Sequence, residues 1–278
     1  MTRVLAAVDK SQAARPVLEV ARLFGDLVGA TPEAIHVGLE TGAVREVAER
    51  VGVPLRVLQG DPEQVLVREA AADDVALMII GARGLPIGRD GAGHVALDLI
   101  QQSPTAVVVV PPSTSAPKLD RVLVPLDGKR RTGIAVAAVV GVLARAGAEF
   151  VVVHTFTTET VPRMLNHGGA LEMWGAEFLK RSCPELAHAR LELRLGTPAT
   201  NVIELARDEH VDLIVLAWSR DLSGGHGQVV LDAVAHATMP TLLLALDGEQ
   251  DRPPPTRRAD ARPGELEGHA QYDSTARR

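Results

Sequence analysis

The most constraining feature of this chain is that four landmarks in its sequence occur twice in the same order. Each copy opens on an apolar run ending in aspartate, continues through a Gly-x-Pro turn and a buried-strand run, and closes on a short apolar run. The landmarks of the two copies are 4–9 with 122–127, 60–62 with 196–198, 76–81 with 212–217, and 106–110 with 241–246. We conclude that one domain has been duplicated within the chain.

Both copies alternate short apolar runs with segments of helical periodicity, which is typical of βαβ units and a parallel sheet. The pattern predicts an α/β fold with two tandem open five-stranded parallel sheets, each covered by helices on both faces. Predicted strands are 3–8, 34–39, 54–58, 76–81, 105–110, 121–126, 149–155, 189–194, 212–217 and 240–246. Predicted helices are 11–28, 42–51, 62–74, 94–102, 130–146, a stretch within 158–181, 198–209 and 228–237.

Composition changes mark the domain boundaries. We predict a first domain at 1–112, a Pro/Ser-rich linker at 113–119, a second domain at 120–247 and a disordered tail at 248–278. The tail carries one large aliphatic residue, Leu266, and so cannot bury enough apolar surface to fold.

Charge and cysteine content narrow the functional class. The net charge of −6 argues against binding to nucleic acid or to an anionic membrane, because neither polyanion would attract this chain. Cys183 is the only cysteine, so no disulfide can form within the chain. With no signal-peptide pattern or membrane-spanning apolar stretch in the sequence, we expect a cytoplasmic protein.

A glycine-rich segment follows the fourth predicted strand and suggests an anion site. Five glycines lie in the segment from Gly81 to Gly93, where backbone could approach a ligand closely. The next helix begins near His94 and would aim its free amides at the same place. Arg83 and Arg89 would add positive charge, and Asp9, after the first strand, could hold ribose hydroxyls. Alternatively, Asp9 is a helix cap or turn residue and the arginines are solvated.

Together these features resemble a tandem universal stress protein over nearly all of residues 1–247, within the adenine-nucleotide-binding, Rossmann-like α/β group. The nucleotide-binding branch of that family is marked by Gly-x2-Gly-x9-Gly-Ser/Thr, and this chain has Gly81-x2-Gly84-x8-Gly93-His94. The spacer is one residue shorter, and His94 replaces the hydroxyl residue. The resemblance implies ATP or ADP, with Mg²⁺ accompanying it. Its implied ligand contacts are Ala7, Asp9, Val37, Ile80, Gly81, Gly84, Gly93, His94 and Val95, to which we add Arg83.

The second copy departs further from the motif. Ala217 and Arg220 stand in place of the leading glycines, while Asp127 is kept. Trp218 and Arg220 could fill the crevice, and we expect the second domain to be structural and to bind no nucleotide, or to bind it poorly. The resemblance also implies that the last strands of the copies, near 105–110 and 240–246, pair as an internal pseudo-dimer. Such pairing would hide exposed strand edges; further homo-oligomerisation stays open.

Three functions compete. The first is a stress-response module that binds adenine nucleotide in its first domain. The second is a regulatory scaffold with no nucleotide and an unknown protein partner. The third is an ATP hydrolase, which would be slow because no residue presents itself as a general base beside the glycine loop.

Overall fold

The computed structural model describes residues 1–39, 42–82, 93–157, 160–161, 170–221 and 225–246, and residues 1–246 belong to one compact unit. Its strands are β1 (Arg3–Ala7), β2 (Thr31–Val37), β3 (Leu55–Leu58), β4 (Val75–Gly81), β5 (Val107–Val110), β6 (Arg121–Pro125), β7 (Glu149–Phe156), β8 (Arg190–Leu195), β9 (Leu213–Trp218) and β10 (Thr241–Ala245). Its helices are α1 (Ala14–Val28), α2 (Gly42–Val51), α3 (Pro62–Ala70), α4 (His94–Gln102), α5 (Arg130–Arg145), α6 (Ala170–Ser182), α7 (Pro198–Asp208) and α8 (Gly225–His236), with a 3-10 turn at Pro184–Leu186. The predicted tail lies outside the described residues.

All ten strands form one sheet, in the order β3-β2-β1-β4-β5-β10-β9-β6-β7-β8. Each half is parallel, as predicted, and the halves meet where β5 pairs antiparallel with β10. Val109 lies opposite Thr241, and Val107 lies opposite Leu243. The predicted pairing of the last strands is therefore confirmed, and it joins the two five-stranded sheets into one.

Helices cover both faces of this sheet and bury a separate core on each. Alternate residues of β1 show the division. Val4 and Ala6 belong to the core that includes residues of α1, α2, α5 and α6, whereas Leu5 and Ala7 belong to the core that includes residues of α3, α4, α7 and α8. Strands buried on both faces must be apolar at successive positions, which explains the runs in the sequence.

Local signals fix the ends of several helices. Asp61 caps α3 by accepting a hydrogen bond from the amide of Gln64, and Pro62 occupies the first turn. Gly29 ends α1 in the left-handed conformation, with a φ of 66°. None of the helices within the described ranges is long and apolar enough to cross a membrane.

Candidate ligand clefts at the carboxyl edge of the sheet

The strand order places one cleft in each half. In the first half β1 lies between β2 and β4, and in the second β6 lies between β7 and β9. The order in which successive strands are added across the sheet reverses beside β1 and β6. The loops that follow neighbouring strands there therefore diverge and leave a crevice. Open α/β sheets bind ligands at this position.

Asp9 and Asp127 each close a turn at the start of their cleft. The Asp9 Oδ1 accepts the amide of Ser11 at 2.8 Å, and the Asp127 Oδ1 accepts the amide of Lys129 at 2.9 Å. Both turns have the same two-residue span, which is a common local role for aspartate. The turn accounts for the presence of this acid in both copies, whether or not a ligand binds.

A histidine at the end of the second strand of each half anchors the same turn. His36 Nδ1 lies 2.9 Å from the carbonyl oxygen of Val8, and His154 Nδ1 lies 2.7 Å from that of Leu126. In the first half the other ring nitrogen, Nε2, is also engaged, 3.1 Å from the carbonyl oxygen of Leu39. These two histidines were not predicted from the sequence, although each lies 28 residues after the residue whose carbonyl it contacts.

The two ends of the glycine-rich segment meet at the end of β4. The amide of Gly93 donates to the carbonyl of Ala82 at 3.0 Å, and the amide of Ala82 donates to Val110 at 2.9 Å. Helix α4 begins directly after Gly93, which offers no side-chain cap, so the first amides of α4 remain for solvent or a ligand. Arg83, Gly84 and Arg89 lie outside the described residues.

The remaining predicted contacts gather at this edge in different ways. Ala7 and Ile80 are opposite each other in the sheet and are 8% and 5% exposed, so a ligand would meet mainly their backbone. Val37 ends β2, and Gly81 pairs with Val110. Val95 packs against the core.

His94 is directed elsewhere. Its side chain is 82% exposed, and its Nε2 lies 3.3 Å from Oε1 of Glu63, in the first turn of α3. A phosphate at the start of α4 would compete with this carboxylate for the histidine.

The second cleft contains a cavity of about 470 Å³. Its walls come from the ends of β6, β7 and β9 and from α5, α6, α7 and α8. Its lining includes Asp127, Thr132, His154, Phe156, Trp174 and Phe178. The aromatic wall of this cavity, formed by Phe156, Trp174 and Phe178, combines β7 with α6, and the cavity was therefore not predicted from the sequence.

The expectation that Trp218 and Arg220 fill this crevice is wrong. Trp218 is 2% exposed and packs, with Ile214 and Leu216, into the core under α7 and α8. Neither Trp218 nor Arg220 lines the cavity. Arg220 has a φ of 62°, a backbone conformation that glycine adopts far more readily, at the position aligned with Gly84.

The remaining candidate chemistry is sparse in the described part of the chain. Within it, no cluster of three or more histidine, cysteine or acidic side chains could hold a metal ion. Cys183 is buried, and this burial, with a smaller effect from Glu185, raises the pKa of its thiol to about 11.

Comparison with solved structures supports this architecture. A functionally unknown protein from Pseudomonas aeruginosa PAO1 matches with a TM-score of 0.63 at 16% identity, over 89% of this chain and 93% of that one. A universal stress protein from Archaeoglobus fulgidus DSM 4304 matches with a TM-score of 0.61 at 16% identity, over 89% of this chain and 97% of that one. At such identities the likeness shows the fold alone. No curated protein matches the chain in sequence.

The sequence model of the universal stress protein family matches residues 39–111 and 118–244. Asp9, Ala7 and Val37 precede the first matched segment, whereas Gly81, Gly93 and His94 lie within it. The first matched segment covers β3 to β5 of the first half, the second covers nearly all of the second half, and together they span well over half of the chain. This protein therefore belongs to the universal stress protein family and carries two such domains in tandem.

Proposed function

We propose that this protein binds an adenine nucleotide in its first half, at the carboxyl ends of β1, β2 and β4. The second half would supply β10 to complete the sheet and would hold no nucleotide. We place this activity in the cytoplasm, where a lone buried thiol such as Cys183 stays reduced. Any Mg²⁺ would arrive with the phosphates of the nucleotide.

The observation that carries this proposal is the closure of the glycine-rich segment at its base. The bond between the Gly93 amide and the Ala82 carbonyl brings the start of the segment beside the uncapped start of α4. Amides at a helix start carry partial positive charge and suit a phosphate. Asp9 lies across the cleft, and its Oδ2 has no hydrogen-bond partner among the described residues, so it can accept a ribose hydroxyl.

Thermal stability measures this binding directly. Nucleotide-stripped protein is heated with ATP or ADP at a hundredfold excess over the dissociation constant, where a ligand of the folded state stabilises it by about 2.7 kcal/mol. For a chain of this size that corresponds to a rise of roughly 5–10 °C in Tm. No rise at millimolar nucleotide would refute the proposal and favour the scaffold function.

Matched substitutions locate the site. Gly84→Val should abolish the rise, while Arg220→Gly, at the aligned position of the second half, should preserve it. Asp9→Asn separates the two roles of this residue, because the asparagine oxygen can still accept the Ser11 amide but the carboxylate is lost. We expect an unchanged Tm without ligand and nucleotide affinity reduced by about three- to tenfold, since bonds to charged groups are the stronger ones. Asp127→Asn is the control; loss of binding in it alone would reverse the assignment.

A further inference from the structure

The two clefts can be compared position by position, because residue numbers differ by a constant 118 from the start of β1 to the end of β2. Asp9 corresponds to Asp127 and His36 to His154, and the strand registers agree, with Arg3 opposite Thr31 and Arg121 opposite Glu149. The frame of the cleft is thus the same in both halves. What differs is the lining.

The lining of the second cleft is larger and more aromatic. Phe156 stands at the position of Gly38, and α6 adds Trp174 and Phe178, whose rings stack at 4.9 Å with an interplanar angle of 18°. His154 joins them at 4.6 Å from Phe178 and 5.6 Å from Trp174. Only seven residues of the whole chain are Phe, Trp or Tyr, and three of them line this one cavity.

Burial divides this aromatic group into a packed part and an accessible part. Phe156 and Phe178 are 3% and 2% exposed, as expected for core residues, so packing in the core explains both of them without a ligand. Trp174 is partly exposed and lines an open cavity, so apolar ring surface remains for another flat molecule to cover. Offset stacking and edge contacts with such rings favour an aromatic partner.

Two polar groups in this cavity await a partner. Thr132 lines the cavity, stands at the position of Ala14 and is 4% exposed, and its Oγ1 is buried without a hydrogen-bond partner. His154 donates its Nδ1 proton to the Leu126 carbonyl, which leaves Nε2 as an acceptor, and no described residue bonds to it. In His36 the same nitrogen is already engaged by Leu39.

From these observations we propose that the second-half cavity binds a neutral planar aromatic molecule bearing a hydroxyl group, and not a nucleotide. The ring would cover the accessible face of Trp174. Its hydroxyl would bond to Nε2 of His154 or, once the side chain of Thr132 turns toward the cavity, to the Oγ1 of Thr132. The cavity has a volume of about 470 Å³ and apolar walls with few polar groups, and both properties suit a small molecule. Ala217 and Arg220 stand where the first half has the glycines of its proposed phosphate site, which argues against a nucleotide here. This proposal does not depend on nucleotide binding in the first half.

The test measures the binding of 2-naphthol to the full chain by calorimetry. Nuclear magnetic resonance then follows the indole N–H signals of the two tryptophans, Trp174 and Trp218. We expect one site per chain, with a shift of the Trp174 signal and none of the Trp218 signal. ATP should neither displace 2-naphthol nor shift the Trp174 signal. No binding up to the solubility of 2-naphthol, or binding that leaves Trp174 unshifted, would overturn the proposal. Competition by ATP at Trp174 would instead make this a second nucleotide site and overturn it equally.

Thr132→Ala, which installs the residue of the first half, distinguishes a binding role from a packing role. The free protein should melt no lower than the parent, because the hydroxyl removed has no partner there. Affinity for 2-naphthol should fall about two- to tenfold, the range for one hydrogen bond. Affinity for naphthalene, which has no hydroxyl, should not change. An equal loss for both probes, or a loss of stability without loss of affinity, would refute the role of Thr132 in the site.

Discussion

Gly133 lies where α5 passes closest to the end of α6, and substituting it gives a severe test of this packing. A methyl group there would overlap the carbonyl oxygen of Ser182 and would lie 2.7 Å from its carbonyl carbon. Carbon atoms in contact sit about 3.5–4.0 Å apart, so the carbon contact alone requires the two segments to separate by about 1 Å, and relieving the overlap with the oxygen requires more. Because the obstacle is backbone, no side-chain rotation relieves it.

The same helix contains a matched control. A methyl group on Gly141 would meet only a terminal nitrogen of Arg145, at 3.6 Å, which is an ordinary contact. Gly→Ala in a helix interior gains about 0.5–1 kcal/mol, and this gain applies to both positions. At Gly133 it is set against overpacking that costs typically 1–3 kcal/mol, or more where backbone must move.

We therefore expect Gly141→Ala to raise the free energy of unfolding by about 0.5–1 kcal/mol and Gly133→Ala to lower it by about 1–2 kcal/mol. Urea unfolding followed by circular dichroism measures both, and the difference of roughly 2 kcal/mol or more is the quantity that matters, because the propensity gain cancels in it. If Gly133→Ala stabilised the protein as much as Gly141→Ala, α5 and α6 would not pack as described, and the shape of the adjoining cavity would be wrong as well.

Three further outcomes follow from local geometry. Iodoacetamide at pH 8 should leave Cys183 unmodified in the folded protein and label it in urea, as mass spectrometry would show, since its thiol is buried with its pKa raised to about 11; labelling of folded protein would contradict its burial. Glu63→Gln should strengthen ATP binding by up to about fivefold, as calorimetry would show. The carboxylate beside His94 repels phosphate, and the energy of such an exposed pair is modest. Weaker binding would exclude His94 as a phosphate contact. Gly38→Ala should lower Tm, because the φ of 120° at Gly38 is costly for residues other than glycine, although an added methyl group would meet no atom there. Gly42 is equally open and unstrained, so Gly42→Ala should not lower Tm.

The strand pattern could be predicted because burial on both faces leaves an unambiguous apolar run. β4 was expected at 76–81 and is found at Val75–Gly81, and α4 was expected at 94–102 and is found at His94–Gln102. Helix α1 begins three residues later than expected. Asp9 and Ser11 take up the amides of Ser11 and Ala13 and hold the chain in a turn before the helix can start.

Side-chain direction could have been predicted for Trp218 but not for the aromatic wall. Along β9, alternate residues face opposite cores, so Trp218 shares the face of Ile214 and Leu216, and strand parity alone places it under the helices. The meeting of Phe156 with Trp174 is different, because it depends on the rotation and position of α6 against the sheet. Periodicity identifies a helix face without saying which strand that face will meet.

The two halves show which parts of such a domain are tied to the fold and which are open to change. Three features are the same in both halves: the aspartate turn, the histidine that contacts it and the glycine that ends the first helix. Those glycines are Gly29 and Gly147, both with positive φ. Each feature satisfies backbone groups that any ligand-free domain must also satisfy. Other positions differ. Gly38, at the position of Phe156, is still tied to the fold by its positive φ, whereas Ala14 and Thr132 satisfy no backbone group. An unpartnered buried hydroxyl is a cost to the free protein, so Thr132 is better explained by what the cavity receives than by the stability of the fold. Duplication would then have kept the frame while allowing the second cleft to acquire a ligand of its own.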